Sequence, residues 1–407
     1  MKITLIYPYY TEKIRSTNRV EFPPLGLLYI ASVIESMGHQ INVIPIENIN
    51  IDLNTFETVD IIGYGITSSV TYPLFREIND KLRDKAEFFI SGNCHTNFFP
   101  EMVLNELNLD KVFVGESENT LYKFIKNPNH KKEKIIGDKV DLDSIPMPAR
   151  HLLPDSLIYL NSRVGGKLNN VISMVSSRGC LNDCTFCAIY NKKSIRYRSP
   201  ENFENEIIQL KTYYPKVTGI VLLDENFTIS NEHVLNISKI LKKHNLPFEC
   251  NSRVDTLNEE NIKTLTNNEC AEVRIGLESG STQLLKKMNK RMTLSQVEQV
   301  LKLCKTKGLA VKLYLMHGFP GENMQTTNET IKFIEQNKKS INRIALYRFS
   351  PLPGSKIFNS SKINKRSWED YTIYMNDLHW YGSEEDYNEL NLSYSKLSEY
   401  LNQTFYK

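Results

Sequence analysis

The sequence lacks any apolar run that could form a membrane-spanning helix, which takes about 18 consecutive apolar residues. Hydrophobic residues make up 41% of the 407 residues and charged residues 24%, as in ordinary globular proteins. Residues 1–9 hold too short an apolar stretch for a secretory signal and favour a buried strand. The net charge of +3 is too small to indicate nucleic acid or an anionic membrane as a partner. We therefore expect a cytoplasmic protein with two or three domains.

The sequence also gives no indication of disulfides. We expect its seven cysteines to be reduced thiols, because no export signal is recognised in the chain. Four of them are scattered singly, and we expect them to be packing residues: Cys94, Cys250, Cys270 and Cys304. The chemistry of the chain is then expected in the remaining three.

These three are Cys180, Cys184 and Cys187, with the spacing C-x3-C-x2-C. Three thiolates can hold three of the four irons of a 4Fe–4S cluster, whereas a structural cluster usually has four cysteine ligands. One iron is left open, and an open metal position is typical of a catalytic site. The alternative is a zinc site, which needs a fourth ligand at short spacing. The next candidates, His233 and Cys250, are distant in sequence.

This spacing resembles that of the radical S-adenosylmethionine (SAM) enzymes. The resemblance implies that SAM binds the open iron through its amino and carboxylate groups. An electron from the reduced cluster would then cleave SAM to methionine and a 5′-deoxyadenosyl radical. It also implies an electron donor such as flavodoxin or ferredoxin, and work under anaerobic conditions.

From about residue 170, apolar runs alternate with amphipathic stretches. The runs predict six strands, at 171–176, 219–223, 248–252, 272–277, 310–316 and 343–349. Strands that alternate with helices favour a parallel sheet covered by helices. Six units are too few for a closed eight-stranded barrel. They agree with the partial (βα)6 barrel that the resemblance implies for residues 169–355.

Polar residues follow the ends of these strands, where the chemistry of such barrels lies. The resemblance implies that seven residues bind SAM: Phe186, Asp224, Glu225, Asn226, Arg253, Glu278 and Gly318. Glu278 would contact the ribose or the methionine end of SAM. Arg253 has two interpretations, since it can pair with the methionine carboxylate or form a salt bridge with Asp255.

Residues 1–130 show a second α/β pattern. Five strands are expected, at 3–7, 41–46, 61–66, 87–91 and 111–114. Between the first two, a helix is predicted from Leu27, Ile30, Ile34 and Met37 at helical spacing. The pattern predicts a flavodoxin-like, doubly wound sheet, which binds ligands at the carboxyl ends of its strands. No G-x-G-x-x-G follows the first strand, so a nicotinamide site is not indicated.

This segment resembles the cobalamin-binding domain that precedes many radical SAM barrels, through residues 23–26, 65–68, 91–96 and 115–118. The resemblance implies that small and hydroxyl residues at the strand ends contact cobalamin. These residues are Thr67, Ser68, Ser69, Gly92, Asn93, Gly115 and Glu116.

One feature of cobalamin mutases and methionine synthase is missing, namely the Asp-x-His-x-x-Gly loop. The loop at 8–13 reads PYYTEK, so no histidine there can ligate cobalt from below. Cobalamin-dependent radical SAM proteins commonly lack that histidine. His95 has two interpretations, a cobalt or substrate contact or a hydrogen-bonded structural residue. A further alternative for the whole segment is a sheet that has lost its ligand and only covers the barrel.

Two regions lie outside these patterns. Residues 131–168 are rich in charge and proline, and we expect a linker on the surface. Residues 356–407 contain a helical stripe of Leu390, Tyr394, Leu397 and Leu401. We expect this segment to be a helical cap over the open side of the barrel, which would keep a radical from water.

These patterns together predict a cobalamin-dependent methyltransferase that acts on an unactivated carbon of a small-molecule, lipid or peptide substrate. One alternative is a cobalamin-binding radical SAM enzyme that forms a ring or rearranges carbon without methyl transfer. An alternative of another class is an iron–sulfur sensor or electron carrier. A methylthiotransferase is disfavoured, because it carries a second cluster on three N-terminal cysteines and only Cys94 precedes Cys180.

Overall fold

The computed structural model describes residues 1–8, 22–46, 56–160, 170–360, 363–372 and 380–406. The chain divides into two compact units. One comprises Met1–Leu160 and Arg366–Tyr371, and the other comprises Asn161–Lys365 and Thr372–Lys407. Among the described residues, no helix is both long enough and apolar enough to cross a bilayer.

The first unit is built on a parallel sheet. Its described strands are β1 (Lys2–Pro8), β2 (Gln40–Ile46), β3 (Val59–Gly65), β4 (Ala86–Gly92), β5 (Lys111–Val114) and β6 (Glu133–Ile136), in the order β2-β1-β3-β4-β5-β6. Its helices are α1 (Leu25–Ser36), α2 (Tyr72–Lys81), α3 (Cys94–Phe98), α4 (Pro100–Glu106), α5 (Glu118–Lys126) and α6 (Asp155–Ile158). Strands such as β1 are buried on both faces, as is usual in a sheet covered by helices. The predicted flavodoxin-like sheet is confirmed.

The structure differs from the expected linker at β6. This strand pairs with β5 in parallel, from Lys111↔Glu133 to Val114↔Ile136. Its residues alternate between half-buried and exposed, because successive side chains point to opposite faces of the sheet and one face is open to solvent here. An edge strand needs no apolar run, so the charged sequence around it gave no strand signal. Part of the segment 131–168 therefore extends the first sheet.

The second unit contains the partial barrel. Its strands are β7 (Val171–Met174), β10 (Gly219–Leu222), β11 (Phe248–Ser252), β12 (Cys270–Glu278), β13 (Val311–His317) and β14 (Arg343–Arg348), and a small antiparallel pair is formed by β8 (Ser177–Arg178) and β9 (Arg196–Tyr197). The helices are α7 (Pro200–Tyr213), α8 (Asn231–Lys243), α9 (Glu259–Asn267), α10 (Thr282–Lys287), α11 (Leu294–Lys307), α12 (Met324–Asn337) and α13 (Glu384–Phe405).

The barrel strands are all parallel and follow the order β14-β13-β12-β11-β10-β7, so that β7 and β14 are the edges of an open sheet. The predicted partial (βα)6 architecture is confirmed. Parallel order places the carboxyl ends of all six strands at one edge of the sheet, which positions the site described below.

The helical C-terminal extension is also confirmed, as α13. Leu397 and Leu401 are buried, and the helix packs on α12 and β14. Tyr400 donates a hydrogen bond of 2.6 Å to Glu335, and Ser393 Oγ lies 2.9 Å from His317 Nε2. The extension is therefore fixed to the last two barrel strands.

Candidate active site

The three clustered cysteines lie on the loop between β8 and β9. Cys180 and Cys184 are each 7% exposed, and Cys187 is half-buried. Gly179, directly before the first cysteine, has φ +106°, and a Cβ there would lie 2.2 Å from the Ser194 carbonyl oxygen. The sharp turn into the loop therefore requires glycine.

Hydrogen-bond donors are directed at two of the sulfurs. Asn182 N and Nδ2 lie 3.5 Å and 3.8 Å from Cys180 Sγ, and Arg253 Nη1 lies 3.5 Å from Cys184 Sγ. Burial raises the pKa of the Cys187 thiol. Donors and a cation favour the thiolate form that iron requires. The three sulfurs and their donors therefore fit an iron–sulfur cluster with cysteine ligands.

Within the described part of the chain, no three Cys, His, Asp or Glu side chains come close enough to share one metal ion. A cluster places a different demand on its ligands, because each cysteine binds a different iron and the three sulfurs need not converge on one ion.

A cavity of about 250 Å³ adjoins the cysteine loop. Its lining combines the three cysteines with four of the residues that are predicted to bind SAM: Phe186, Glu225, Arg253 and Glu278. Burial raises the pKa of Glu225, whose Oε2 accepts a hydrogen bond of 3.2 Å from Gly179 N. The structure thus brings the predicted cluster ligands and a majority of the predicted SAM contacts to one place.

Arg253 satisfies part of each interpretation. Its Nε and Nη2 donate hydrogen bonds of 2.9 Å and 3.0 Å to the two carboxylate oxygens of Asp255, and Nη2 also donates to Lys290 O at 2.6 Å. Burial alone would lower the pKa of Arg253, but the ion pair with Asp255 and the nearby Cys184 and Cys180 together outweigh it, and the pKa is raised. The salt bridge is present, and it holds the guanidinium against the cavity and Cys184.

Glu278 lies at a backbone irregularity. Its φ is +68°, and the pairing of β12 with β13 shifts register between Gly276 and Glu278. Its carboxylate accepts a hydrogen bond of 2.9 Å from Lys290 Nζ. A Cβ at Gly276 would lie 2.4 Å from that carboxylate, so glycine provides the space for it. The bulge directs the acid into the cavity.

Three predicted SAM contacts are not among the residues that line this cavity: Asp224, Asn226 and Gly318. Asp224 is fully buried and accepts hydrogen bonds from Ser176 N and Oγ at 3.1 Å and 2.8 Å. Burial raises its pKa. These hydrogen bonds join the Asp224 carboxylate to the chain that follows β7, directly before the cysteine loop. The residue type at a strand end did not reveal in which direction the side chain points.

Asn226 and Gly318 are held in other ways. Asn226 Oδ1 accepts hydrogen bonds from the hydroxyls of Thr228 and Thr256, at 3.3 Å and 3.2 Å. Gly318 has φ +94° and lines a separate cavity of about 30 Å³, and its carbonyl accepts a hydrogen bond of 2.7 Å from Tyr381. A SAM contact by either residue stays a prediction.

Several residues of the cavity lining were not predicted from the sequence: Asn182, Ile189, Lys192, Asn251, Ser252, Arg274, Lys290 and Tyr314. Lys290 matters most among them, because its side chain is 5% exposed and pairs with Glu278. It follows α10 on a turn that packs on the cysteine loop, where Thr185 N donates to Met288 O at 3.0 Å. No local pattern around Lys290 indicates this tertiary contact.

The residues predicted to contact cobalamin lie in the first unit, at the carboxyl ends of β3, β4 and β5. Thr67 Oγ1 is buried without a hydrogen-bond partner in the described structure. Ser68 Oγ lies 3.5 Å from Thr71 Oγ1, and Gly92 ends β4. Ser69 Oγ lies 2.8 Å from His95 Nδ1.

The other members of this group have defined positions as well. Asn93 has φ +80° and caps α3 by accepting from Cys94 N at 2.7 Å. Gly115 has φ +85°, and Gly115 N donates to Asn97 Oδ1 at 2.8 Å. The Glu116 carboxylate is engaged by Val140 N at 3.1 Å.

His95 is 1% exposed and stacks on Tyr72, with 4.4 Å between the ring centroids. Burial lowers the pKa of His95 to about 4, so the ring is neutral at pH 7. The Ser69 hydrogen bond and the stacking fit the structural interpretation, although Nε2 is buried without a partner in the described structure. Residues 9–13 of the loop without the cobalt-ligating histidine lie outside the described residues.

Comparisons with known proteins agree with this site. The family model of the radical SAM superfamily matches residues 174–334, which include the three cysteines. The uncharacterized methyltransferase PH0819 of Pyrococcus horikoshii is 28% identical over 91% of this chain and 86% of its own length.

Two solved structures have a similar fold. The radical SAM methyltransferase TsrM of Kitasatospora setae, solved with tryptophan and a SAM analogue, has a TM-score of 0.67 at 14% identity, over 88% of this chain and 74% of TsrM. The cobalamin-dependent radical SAM enzyme OxsB has a TM-score of 0.64 at 16% identity, over 98% of this chain and 56% of OxsB.

Three cysteines beside a cavity at the carboxyl edge of a partial parallel barrel define a class of enzymes, those that use a cluster and SAM. Residues 174–334 match the radical SAM superfamily, and the chain has the fold of TsrM and of the cobalamin-dependent enzyme OxsB. The resemblance to radical SAM enzymes, which the cysteine spacing first indicated, is confirmed.

Proposed function

We propose that this protein is a cobalamin-dependent radical SAM methyltransferase that acts on an unactivated carbon. The observation that carries the proposal is the cavity at the barrel edge, which combines Cys180, Cys184 and Cys187 with charged residues suited to SAM. The second support is the flavodoxin-like sheet in the same chain, whose strand ends carry small and hydroxyl residues.

The three cysteines would hold a 4Fe–4S cluster, which supplies the electron for the cleavage of SAM when it is bound. The residues around it have separate tasks. Arg253 places a positive charge against Cys184 Sγ and favours the thiolate. Asn182 N and Nδ2 are directed at Cys180 Sγ and favour the thiolate of that residue as well.

We assign the SAM contacts to the charged residues of the cavity. Glu278 is positioned to accept from ribose hydroxyls or from the SAM ammonium, and Lys290 lies beside it to pair with the SAM carboxylate. Lys290 Nζ lies 5.7 Å from the centroid of the Phe186 ring, so that ring borders the same charged pair. The resemblance to radical SAM enzymes implies that Phe186 packs on the adenine of SAM, and we include this contact in the proposal.

Cobalamin would bind at the strand ends of the first unit. The residues there fit a bound group, because Thr67 Oγ1 and His95 Nε2 are buried and have no partner in the described structure. Burial of a polar atom costs free energy unless a partner is supplied, so a ligand at this edge would offset that cost. The seven residues from Thr67 to Glu116 that were predicted from the resemblance remain the proposed contacts.

The test is an anaerobic incubation with SAM that carries a deuterated methyl group, added cobalamin, a chemical reductant and candidate substrates. We expect 5′-deoxyadenosine and a product that contains the labelled methyl group. Deoxyadenosine with an unlabelled product would favour the alternative, ring formation or rearrangement. No SAM cleavage by protein that holds its full iron content would favour a sensor or electron carrier.

A further inference from the structure

The outer face of the cysteine loop carries a group of exposed cations. Two backbone hydrogen bonds of 3.0 Å join three segments there, from Thr185 N to Met288 O and from Ile357 N to Thr185 O. The exposed cations of these segments are Lys193, Lys286, Lys287, Arg291 and Lys356, and we call these five residues the cationic rim. Chain positions far apart in sequence thus contribute charge of one sign to the same loop.

Asp183 lies on the same loop and offsets one of the five positive charges, because it forms an ion pair with Lys356. Beside the loop, Lys286 and Arg291 also line an open groove of about 530 Å³. The surface is therefore positive although the whole chain has a net charge of only +3.

Apolar side chains lie on the same loop as part of the rim. Leu181 is 49% exposed and Tyr190 is 41% exposed. Leu181 directly follows the predicted cluster ligand Cys180, and Asn182 N and Nδ2 are directed at the sulfur of that cysteine. An apolar centre with a charged rim is the usual composition of a protein–protein interface.

We infer that the cationic rim, with Leu181 and Tyr190, is the docking surface for a small acidic protein that carries one electron. The inference rests on the proposed function, in which the cluster must be reduced from outside. In the transfer the carrier is oxidised by one electron and the cluster is reduced by one electron, and no atom moves. Complementary charge would steer the carrier to this face, next to Cys180.

Nucleic acid is the competing partner for a cationic surface. Binding to phosphates needs only positive charge, and it gives no reason for an exposed leucine directly beside a predicted cluster ligand. The apolar side chains and the position on the cysteine loop favour the protein carrier.

The experiment measures the Kd of an acidic flavodoxin, in its oxidised form, for the full chain by titration calorimetry. The test variant combines Lys193→Asn, Lys286→Glu and Arg291→Asn. Asparagine suits the first and last positions because their φ values are +63° and +52°. The control variant combines Lys239→Glu and Lys263→Glu on the exposed faces of α8 and α9, and both variants change the net charge by the same four units.

We expect the test variant to raise the Kd at least about tenfold at low salt and the control variant to change it less than about twofold. The wild-type affinity should fall as salt increases, and the test variant should show a weaker salt dependence. An equal loss in both variants would overturn the inference. So would an unchanged flavodoxin Kd together with weaker binding of a single-stranded RNA oligonucleotide.

A second readout separates this inference from the proposed function. Dithionite reduces without docking, so the test variant should cleave SAM at the wild-type rate with dithionite and several-fold more slowly with reduced flavodoxin. If the test variant cleaves SAM at the wild-type rate with reduced flavodoxin as well as with dithionite, the docking surface is overturned. Failure of wild-type protein to cleave SAM with dithionite would contradict the proposed function and leave the measured flavodoxin Kd to decide the docking.

Discussion

Glu278 combines two costs that an ordinary strand residue avoids. A left-handed backbone costs a residue with a Cβ about 1–2 kcal/mol, and its carboxylate forms a buried pair with Lys290, whose side chain is 5% exposed. Such features persist when surrounding structure holds them, and they concentrate at functional sites. The position of Glu278 in the cavity beside the cysteines agrees with this general rule.

Removal of either member of this pair should leave a buried charge without its partner. We expect Glu278→Gln and Lys290→Met each to lower the free energy of unfolding by roughly 3 kcal/mol. The double variant should lose less free energy of unfolding than the two single variants together, by at least about 1 kcal/mol. Urea denaturation measures both. The exposed pair Lys302–Glu298 on α11 is the control, with an expected coupling of about 0.5 kcal/mol or less. Strict additivity at Glu278 and Lys290 would show that the pair is not coupled.

Glu322 predicts a pH dependence. Burial raises the pKa of Glu322 to about 7 from the ordinary value of 4.5, although Thr326 and Thr327 donate hydrogen bonds to its carboxylate. The native state then binds more protons than the unfolded state between these two values, so this residue makes stability fall as pH rises from 4.5 to 7. Below pH 4.5 Glu322 is largely protonated in both states and no longer makes stability depend on pH.

We therefore expect Glu322→Gln to raise the melting temperature at pH 8. The corresponding gain in the free energy of unfolding should be about 1–3 kcal/mol. The gain should shrink as pH falls and vanish near pH 4.5. Thermal unfolding of both proteins across this range measures the difference, in which the titration of other groups cancels. A gain that is the same at all pH values would contradict the raised pKa.

At the scale of elements, the close contact between β12 and α12 depends on Gly280. A Cβ at this position would lie 2.5 Å from Thr330 Cα and 3.0 Å from Phe333 Cβ. Because the first neighbour is backbone, the helix or the strand end must shift. We expect Gly280→Ala to destabilise by about 1–3 kcal/mol.

The matched control is Gly26→Ala in α1, where nothing lies within 4 Å of the added Cβ. There alanine should stabilise the helix by up to about 1 kcal/mol. Chemical denaturation of the two variants measures both effects. If Gly280→Ala unfolds like the wild type, the helix does not pack on this strand end as closely as described.

Elements differ in how far their sequence reveals them. The buried strands could be predicted to within a few residues, because both faces of β1, β3 and β10 must be apolar. The edge strand β6 could not, because half of its four residues, Glu133 and Lys134, are charged and no apolar run marks it. Within the site, the cysteine ligands follow from spacing, whereas Lys290 reaches Glu278 only through tertiary packing. The direction of the Asp224 side chain could not be predicted either: it accepts a hydrogen bond from Ser176 N and is not among the residues that line the cavity, and its SAM contact stays a prediction.

At the scale of the molecule, the two proposed cofactor sites belong to different units. All predicted cobalamin contacts lie within Met1–Leu160, and all three predicted cluster ligands lie within Asn161–Lys365. Each unit has its own parallel sheet and its own buried residues. A variant that loses the cofactor of one site should therefore keep the cofactor of the other.

We expect the combined variant Cys180→Ala, Cys184→Ala and Cys187→Ala to lose its iron, about four atoms per chain in the wild type, and to keep its cobalamin affinity. Iron and sulfide analysis and a corrinoid absorption titration measure the two properties. Cys304→Ala is the control, because this thiol is buried on α11 and should leave both unchanged. Loss of cobalamin binding in the triple variant would mean that the sheet of the first unit does not bind the corrinoid by itself. Retention of iron would remove the basis for the cluster assignment, because no thiolate of the C-x3-C-x2-C loop would remain to hold it.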